Sequence, residues 1–122
     1  MSDRSEHDFV RDILEAIRRV GDYTAGISYE AFLLDTKTQD AVVRNLEIIG
    51  EAVKNLSEEL RAAHPAIAWK GMAAIRDKLI HHYFGVNLDV VWQVVTVELP
   101  PMIGALSNIL DGATPSEATP KR

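Results

Sequence analysis

Val42, Leu46, Ile49, Val53, Leu56, Leu60 and Ala63 follow one another at alternating steps of four and three residues, and this rhythm constrains the fold more than any other feature of the chain. Such spacing returns apolar side chains to one meridian of an α-helix, because a turn takes about 3.6 residues, and a meridian this long is a bundle seam. Asp35 or Thr36 is the predicted cap of this longest helix. His64-Pro65 is its predicted end, since a residue before proline is driven out of the α region.

The same period runs through most of the remaining sequence. From Asp3 to about Tyr23 the stripe is Phe9, Ile13, Ala16, Ile17 and Val20, with Gly21 and Gly26 loosening the end. Ser28 is placed to cap a short helix over Tyr29 to Leu34 by accepting a backbone N–H bond. Another pattern starts between Ala66 and Trp69 and runs to about Phe84, where Gly85 is a stop signal. Asn87 is the next cap, ahead of Leu88, Val91, Trp92, Val95 and Leu99; Pro100-Pro101 kinks or restarts the helix, and Ile103, Leu106, Ile109 and Leu110 continue its apolar face. No strand pattern and no internal repeat is visible. Short turns between helices favour antiparallel neighbours, so the expected fold is an all-α up-down bundle of four to six helices, formed by residues 1–110 as one domain. Residues 111–122 lack periodicity and read as a disordered tail.

Composition closes off several classes of function. With no cysteine among 122 residues, a disulfide scaffold and a thiolate metal site are excluded. The charged N-terminus has no apolar run of the signal-peptide type, and no segment approaches the ~20 apolar residues that span a bilayer. A cytoplasmic protein without membrane insertion is expected. A formal charge of −5 argues against a broad nucleic-acid-coating surface and leaves room for a local basic site.

The stretch from Trp69 to Trp92 departs from plain core. On a regular helix Met72, Ile75, Leu79 and Tyr83 fall within about 80° of one another and make the core stripe. Arg76, Asp77, Ile80, His81 and Phe84 spread over the next ~140°, mixing two bulky apolar side chains with a guanidinium, a carboxylate and an imidazole. A monomer would leave that face wet, so the pattern predicts a two-fold homodimer with Arg76 and His81 at its interface. Arg76 and His81 stand about 140° apart on one helix, whereas Asp77 and His81 have the i, i+4 spacing of contacting side chains. Bringing guanidinium and imidazole together therefore requires a long reach, a distorted last turn or the partner chain.

These residue types suit metal-free cleavage of RNA, which needs a base for the ribose 2′-OH, an acid for the leaving oxygen and a cation for the phosphorane. A dimer supplies two copies of His81, one as base and one as acid. More ordinary readings stand beside each residue. Arg76 and His81 suit a solvated face, His82 packing or capping, Tyr83 a half-buried core position, Trp69 and Trp92 bundle aromatics. Glu47, Glu51, Lys54 and Arg44 read as one solvated helix face. A metal site from His64, His81 and His82 is disfavoured because adjacent histidines rarely face one ion, and no cofactor is called for.

Arg76-Asp77-Lys78-Leu79-Ile80-His81-His82-Tyr83 matches Arg-x4-His-x-Tyr; Phe84-Gly85-Val86 and Val91-Trp92 follow it, and the phrase Arg44-Asn45-Leu46-Glu47-Ile48-Ile49-Gly50-Glu51-Ala52 precedes it. Together these resemble the HepT-like family of the HEPN superfamily, over roughly residues 5 to 110. The resemblance implies a homodimeric, metal-independent ribonuclease, the toxin half of a type VII-like toxin–antitoxin pair, cutting cellular RNA such as tRNA or mRNA internally or from its 3′ end. It implies Arg76, His81 and Asp77 as catalytic residues, Asp77 standing at a position that is usually polar. It also implies a minimal nucleotidyltransferase antitoxin of the MntA type, which silences the toxin by transferring AMP to Tyr83.

Two departures from the family pattern qualify the resemblance. His82 stands where Gly, Asp or Glu is more usual. The acidic total charge confines RNA affinity to a local patch, assigned here to Lys78, Lys70, Arg44 and His82 beside Arg76 and doubled by the dimer. A Tyr83 ring that is partly buried with its hydroxyl at the rim reconciles a core position with modification. The rival reading is a non-catalytic helical dimer that docks and regulates a minimal nucleotidyltransferase. A ligand-binding four-helix bundle lacks the buried polar cluster it would need.

Overall fold

The computed structural model describes residues 5–81 and 87–112, without the side chains of Arg76 and of residues 78–81. These residues form seven α-helices and no strand: α1 (Glu6–Thr24), α2 (Tyr29–Leu33), α3 (Thr36–Lys54), α4 (Glu58–Ala63), α5 (Trp69–His81), α6 (Leu88–Gln93) and α7 (Met102–Leu110), with a π-helical turn over Val94–Glu98. The chain is therefore all-α, as its periodicity predicts. The expected tail from residue 113 onward lies outside the described residues.

Helix α3 is the centre of the packing, with α1 and α5 against it, α2 at its start and α7 on α1. Its seam residues Val42, Leu46, Ile49 and Val53 are all buried. They meet Val10, Ile13, Ile17 and Val20 of α1 in one continuous core. At roughly 1.5–3 kcal/mol for each fully buried aliphatic side chain, this shared interior dominates the stability of the pair. Glu6, at the start of α1, bonds Ser57, just beyond the end of α3, so the two helices run antiparallel.

Helix starts follow local capping chemistry. Ser5 and Asp8 form a reciprocal box, with Asp8 N–H donating to Ser5 Oγ at 3.2 Å and Ser5 N–H to Asp8 Oδ2 at 3.0 Å, which places the start of α1 at Glu6 rather than Asp3. Gly21 lies inside α1, and the turn falls at Gly26, whose φ of 77° favours glycine. Ser28 caps α2 as predicted, accepting from Ala31 N–H. Of the two candidate caps for α3 the structure uses Asp35, which accepts from the Thr38 hydroxyl and from Thr38 N–H. Those bonds hold the Asp35 carboxyl below its ordinary range.

The expected single helix from Asp35 to Ala63 is two helices, a correction that helps raise the count above four to six. The seam continues through Leu56, which is buried, and Leu60, which is partly buried, but the backbone breaks between them. Asn55 closes α3, and Ser57 caps α4 by accepting from Leu60 N–H at 3.0 Å. The Glu6 carboxylate then takes both the backbone N–H of Ser57, at 2.6 Å, and its hydroxyl, at 3.0 Å. Groups freed by the break thus find partners on α1.

Asn87 caps α6 as expected, accepting from Asp89 and Val90 N–H. The Pro100-Pro101 pair does restart the helix: the axes of Leu88–Glu98 and Met102–Leu110 differ by 60°. Prolines supply no N–H, and just before them the ladder widens to a π turn in which Leu99 N–H reaches Val94 C=O at 2.9 Å. Thr96 Oγ1 also donates to Trp92 C=O, a side-chain bond that bends helices. Phe32 of α2 is fully buried and packs on Trp92, with ring centroids 5.0 Å apart. Among the described residues no single helix is long and apolar enough to cross a membrane; the bent pair Leu88–Glu98 and Met102–Leu110 passes by length and composition together, with Val91, Val95, Leu99, Leu106 and Ile109 buried in the core.

Candidate functional site

Helix α5 is fixed at its beginning by burial. Trp69 is 6% exposed and Met72 1%, while Ile75 packs half-buried against the core, in agreement with the predicted stripe. The Trp69 indole N–H donates to the carbonyls of Arg61 and His64, at 3.1 and 3.0 Å. Arg61 C=O also accepts the cap N–H of His64 and His64 C=O the N–H of Ile67, so the indole is a second donor to each carbonyl, and one side chain both fills the core and reinforces the end of the preceding helix. The other members of the stripe, the Leu79 side chain and Tyr83, lie outside the described residues.

Arg76, Asp77 and His81 all belong to the α5 backbone. Five positions apart on one unbroken helix, the Cα atoms of Arg76 and His81 project about 140° apart around its axis. Their side chains, and those of Lys78 and Ile80, are outside the description, as are His82, Tyr83 and Phe84. Asp77 is exposed, and its Oδ1 receives a hydrogen bond from Lys54 Nζ at 2.6 Å. This charge-assisted contact joins the last residue of α3 to the motif helix.

The proposed basic patch has a divided setting. Lys70 is exposed in the first turn of α5. Arg44 lines a groove of about 350 Å³ between α1 and α3, together with Phe9, Asp12, Glu47, Ile48 and Glu51. Arg44, Glu47 and Glu51 thus do share one face, as predicted, and Asp12 adds a third carboxylate to it. Lys54 leaves that group for Asp77. Sequence reasoning assigned Lys54 to its own helix because its nearest charges in sequence lie there; a partner 23 residues away has no local spacing signal.

Asn45 is the one buried polar side chain among the described residues. Its Nδ2 donates to Ala41 C=O at 2.9 Å, and its Oδ1 has no hydrogen-bond partner. Among the described residues no three His, Asp or Glu side chains converge in a way that would hold a metal ion.

Comparison with known proteins adds a second line of observation. The sequence profile of the family described as Ribonuclease HepT-like matches residues 13–109. A relative from Methanocaldococcus jannaschii, named as a candidate RNase, is 48% identical over 102 residues, covering 84% of each chain. One from Thermococcus cleftensis, named as a probable ribonuclease HepT, is 47% identical over 106 residues, 87% of this chain and 96% of its own. A third, from Caldanaerobacter subterraneus subsp. tengcongensis and also named as a candidate RNase, is 41% identical over 107 residues, 88% of this chain and 96% of its own. No solved structure matches the chain.

Proposed function

Because the chain belongs to the ribonuclease HepT-like family, we propose that it is a metal-independent ribonuclease, acting in the cytoplasm as the toxin of a toxin–antitoxin pair. The observation that supports this reading is the build of α5. One continuous helix carries Arg76, Asp77 and His81, and buried Trp69 and Met72 anchor its start. A catalytic constellation needs such a rigid support to hold reacting groups in register.

In the proposed reaction two protomers bring their α5 helices together around one RNA strand. His81 of one protomer takes the proton from a ribose 2′-OH, and the 2′ oxygen bonds to the adjacent phosphorus. The bond from phosphorus to the 5′ oxygen breaks, and His81 of the partner subunit returns a proton to that oxygen. The products are a 2′,3′-cyclic phosphate and a 5′-hydroxyl. Arg76 faces the charge that accumulates on the phosphorane, where a fixed cation acts most strongly on the transition state. Asp77 is the polar neighbour of this pair, and Lys78, Lys70, Arg44 and His82 contribute to holding a tRNA or mRNA.

Control of such a toxin follows from the same chemistry. A partner nucleotidyltransferase of the MntA type joins the Tyr83 hydroxyl oxygen to the α-phosphorus of ATP, with release of pyrophosphate. The attached AMP adds bulk and negative charge at the RNA site and repels the phosphate backbone.

Purified protein incubated with labelled RNA in excess chelator tests the reading. Cleavage is expected without added metal, and His81→Ala lowers its rate by about 10²- to 10⁴-fold, the range of a lost acid–base group. Equal cleavage by the folded variant points to a contaminating nuclease and overturns the assignment, and the absence of cleavage by the parent protein favours a non-catalytic helical partner of the nucleotidyltransferase.

A further inference from the structure

A second groove lies between α2 and the segment that runs from α6 into the π turn. It measures about 380 Å³ and is lined by Tyr29, Asp89, Trp92, Gln93, Thr96 and Val97. Its aromatic wall is held in place. The half-buried Trp92 ring lies 5.0 Å from that of fully buried Phe32 and 5.8 Å from that of Tyr29, centroid to centroid, and the Thr96 hydroxyl donates to the Trp92 carbonyl at 2.7 Å. Rings fixed in this way offer a guest faces that need no ordering on binding.

The charge around the rings decides the chemistry of that guest. Helices α2 and α6 and the π turn carry Glu30, Asp89 and Glu98 and no lysine or arginine. Asp89 lines the groove with an exposed carboxylate that pairs with no cation among the described residues. Such a setting repels a phosphate backbone, whereas a cation gains both from the negative faces of the rings and from the carboxylate. Guanidinium suits it better than ammonium, because its plane stacks on an aromatic ring while its N–H fork meets a carboxylate. The strength of these contacts sets the source of the cation. An exposed cation–π contact and an exposed ion pair each tighten binding by up to about fivefold, too little together to hold a free small molecule at millimolar concentration. The cation therefore needs a larger surface behind it, and exposed apolar side chains are present to receive one: Val97, 59% exposed, in the groove itself, and Leu33, 39% exposed, one turn along α2 from Tyr29.

We propose that this groove is a docking site for a protein partner, which seats an arginine against Tyr29, Trp92 and Asp89 and lays flanking apolar side chains on Val97 and Leu33. No lining residue belongs to α5, so the proposal stands apart from the ribonuclease reading, and the failure of either leaves the other intact.

The test is titration of the isotopically labelled full chain, followed by NMR of its indole N–H groups. The probes are arginine amide, a tripeptide with arginine between leucines, and the same tripeptide with glutamine in place of arginine. The arginine tripeptide is expected to shift the Trp92 indole signal to saturation, while that of Trp69, buried and bonded to two carbonyls, stays in place. Arginine amide and the glutamine tripeptide each bind at least about threefold more weakly. Asp89→Asn weakens the arginine tripeptide by about two- to fivefold, less as salt rises, and Val97→Ser reduces the advantage that the leucines confer. Arginine amide that binds as tightly as the arginine tripeptide overturns the protein source in favour of a free cation. Equal binding of the two tripeptides, or unchanged binding in Asp89→Asn, overturns the proposal in favour of a purely apolar contact. A single-stranded oligoribonucleotide that saturates the Trp92 signal where the arginine tripeptide leaves it unmoved overturns it in favour of a base-stacking platform. A Trp92 signal that none of these probes moves overturns it outright.

Discussion

Helices α3 and α5 are both packed at the centre of the molecule but are held in different ways. Along α3 burial continues from Val42 through Leu46, Ile49 and Val53 to Leu56 just beyond its end, and the start carries a side-chain cap at Asp35. In α5 the buried side chains among the described residues are Trp69 and Met72, with Ile75 half-buried against the core, and exposed Asp77 farther along pairs with Lys54. Apolar area is the main source of folding free energy and exposed ion pairs are a minor one. The buried seam of α3 therefore contributes more to folding than the exposed Lys54–Asp77 contact does. This difference predicts that a loss of buried area in the frame costs more stability than a loss of the Lys54–Asp77 pair.

The largest expected effect on stability is in the frame. Phe32 is fully buried, packs on Trp92, and has its backbone carbonyl held by the Gln39 amide at 2.9 Å. Phe32→Ala should lower the unfolding free energy by about 3–5 kcal/mol, read from urea denaturation followed by circular dichroism. The same measurement on Lys54→Gln should give a change of no more than about 1 kcal/mol. If Phe32→Ala costs less than Lys54→Gln, the contrast between frame and motif helix is wrong.

A smaller effect is expected where the frame relies on hydrogen bonds. Ser57→Ala removes the oxygen that accepts from Leu60 N–H and the hydroxyl that donates to Glu6. The loss should be about 1–2 kcal/mol by the same denaturation, between the two variants above. Glu6→Gln is the matching variant on α1, and combining it with Ser57→Ala should cost less than the two separate losses added together, because both act on one contact.

The Ser57 junction also shows what was legible in the sequence. Periodicity gave the seam through Leu56 and Leu60 correctly, because both sides of the break keep facing the same core. Continuity of an apolar stripe does not require continuity of the helix that bears it. The local signal for the break was present in Ser57-Glu58-Glu59, a cap residue followed by acidic side chains in a first turn. The Glu6 clamp had no such signal, since it depends on how α1 and α3 lie together, and the same holds for Lys54 with Asp77. For the candidate site, the motif spacing placed Arg76, Asp77 and His81 on one helix, which α5 confirms. The cross-helix partner of Asp77 required the tertiary structure. The π turn at Val94–Glu98 was likewise hidden, because the two prolines signalled a restart but not the way the ladder before them absorbs it.

The smallest expected effect concerns the cap at the start of α3 and is visible only through its dependence on pH. Hydrogen bonds from the Thr38 hydroxyl, first, and from Thr38 N–H lower the Asp35 pKa below its ordinary value of 3.8. Protons therefore bind this carboxyl more readily in the unfolded chain than in the folded one. Its ionised form stabilises the fold fully above the unfolded value, and that contribution is lost as the pH falls through the lower folded value. Asp35→Asn keeps an oxygen that accepts at the cap but has no proton to gain. Urea midpoints of the parent and this variant should run in parallel from about pH 7 to pH 5 and converge below about pH 4, where the parent loses more. Midpoints that remain parallel down to about pH 3 would show that the Thr38 bonds do not favour the charged carboxylate, and would leave the frame held by burial and neutral caps alone.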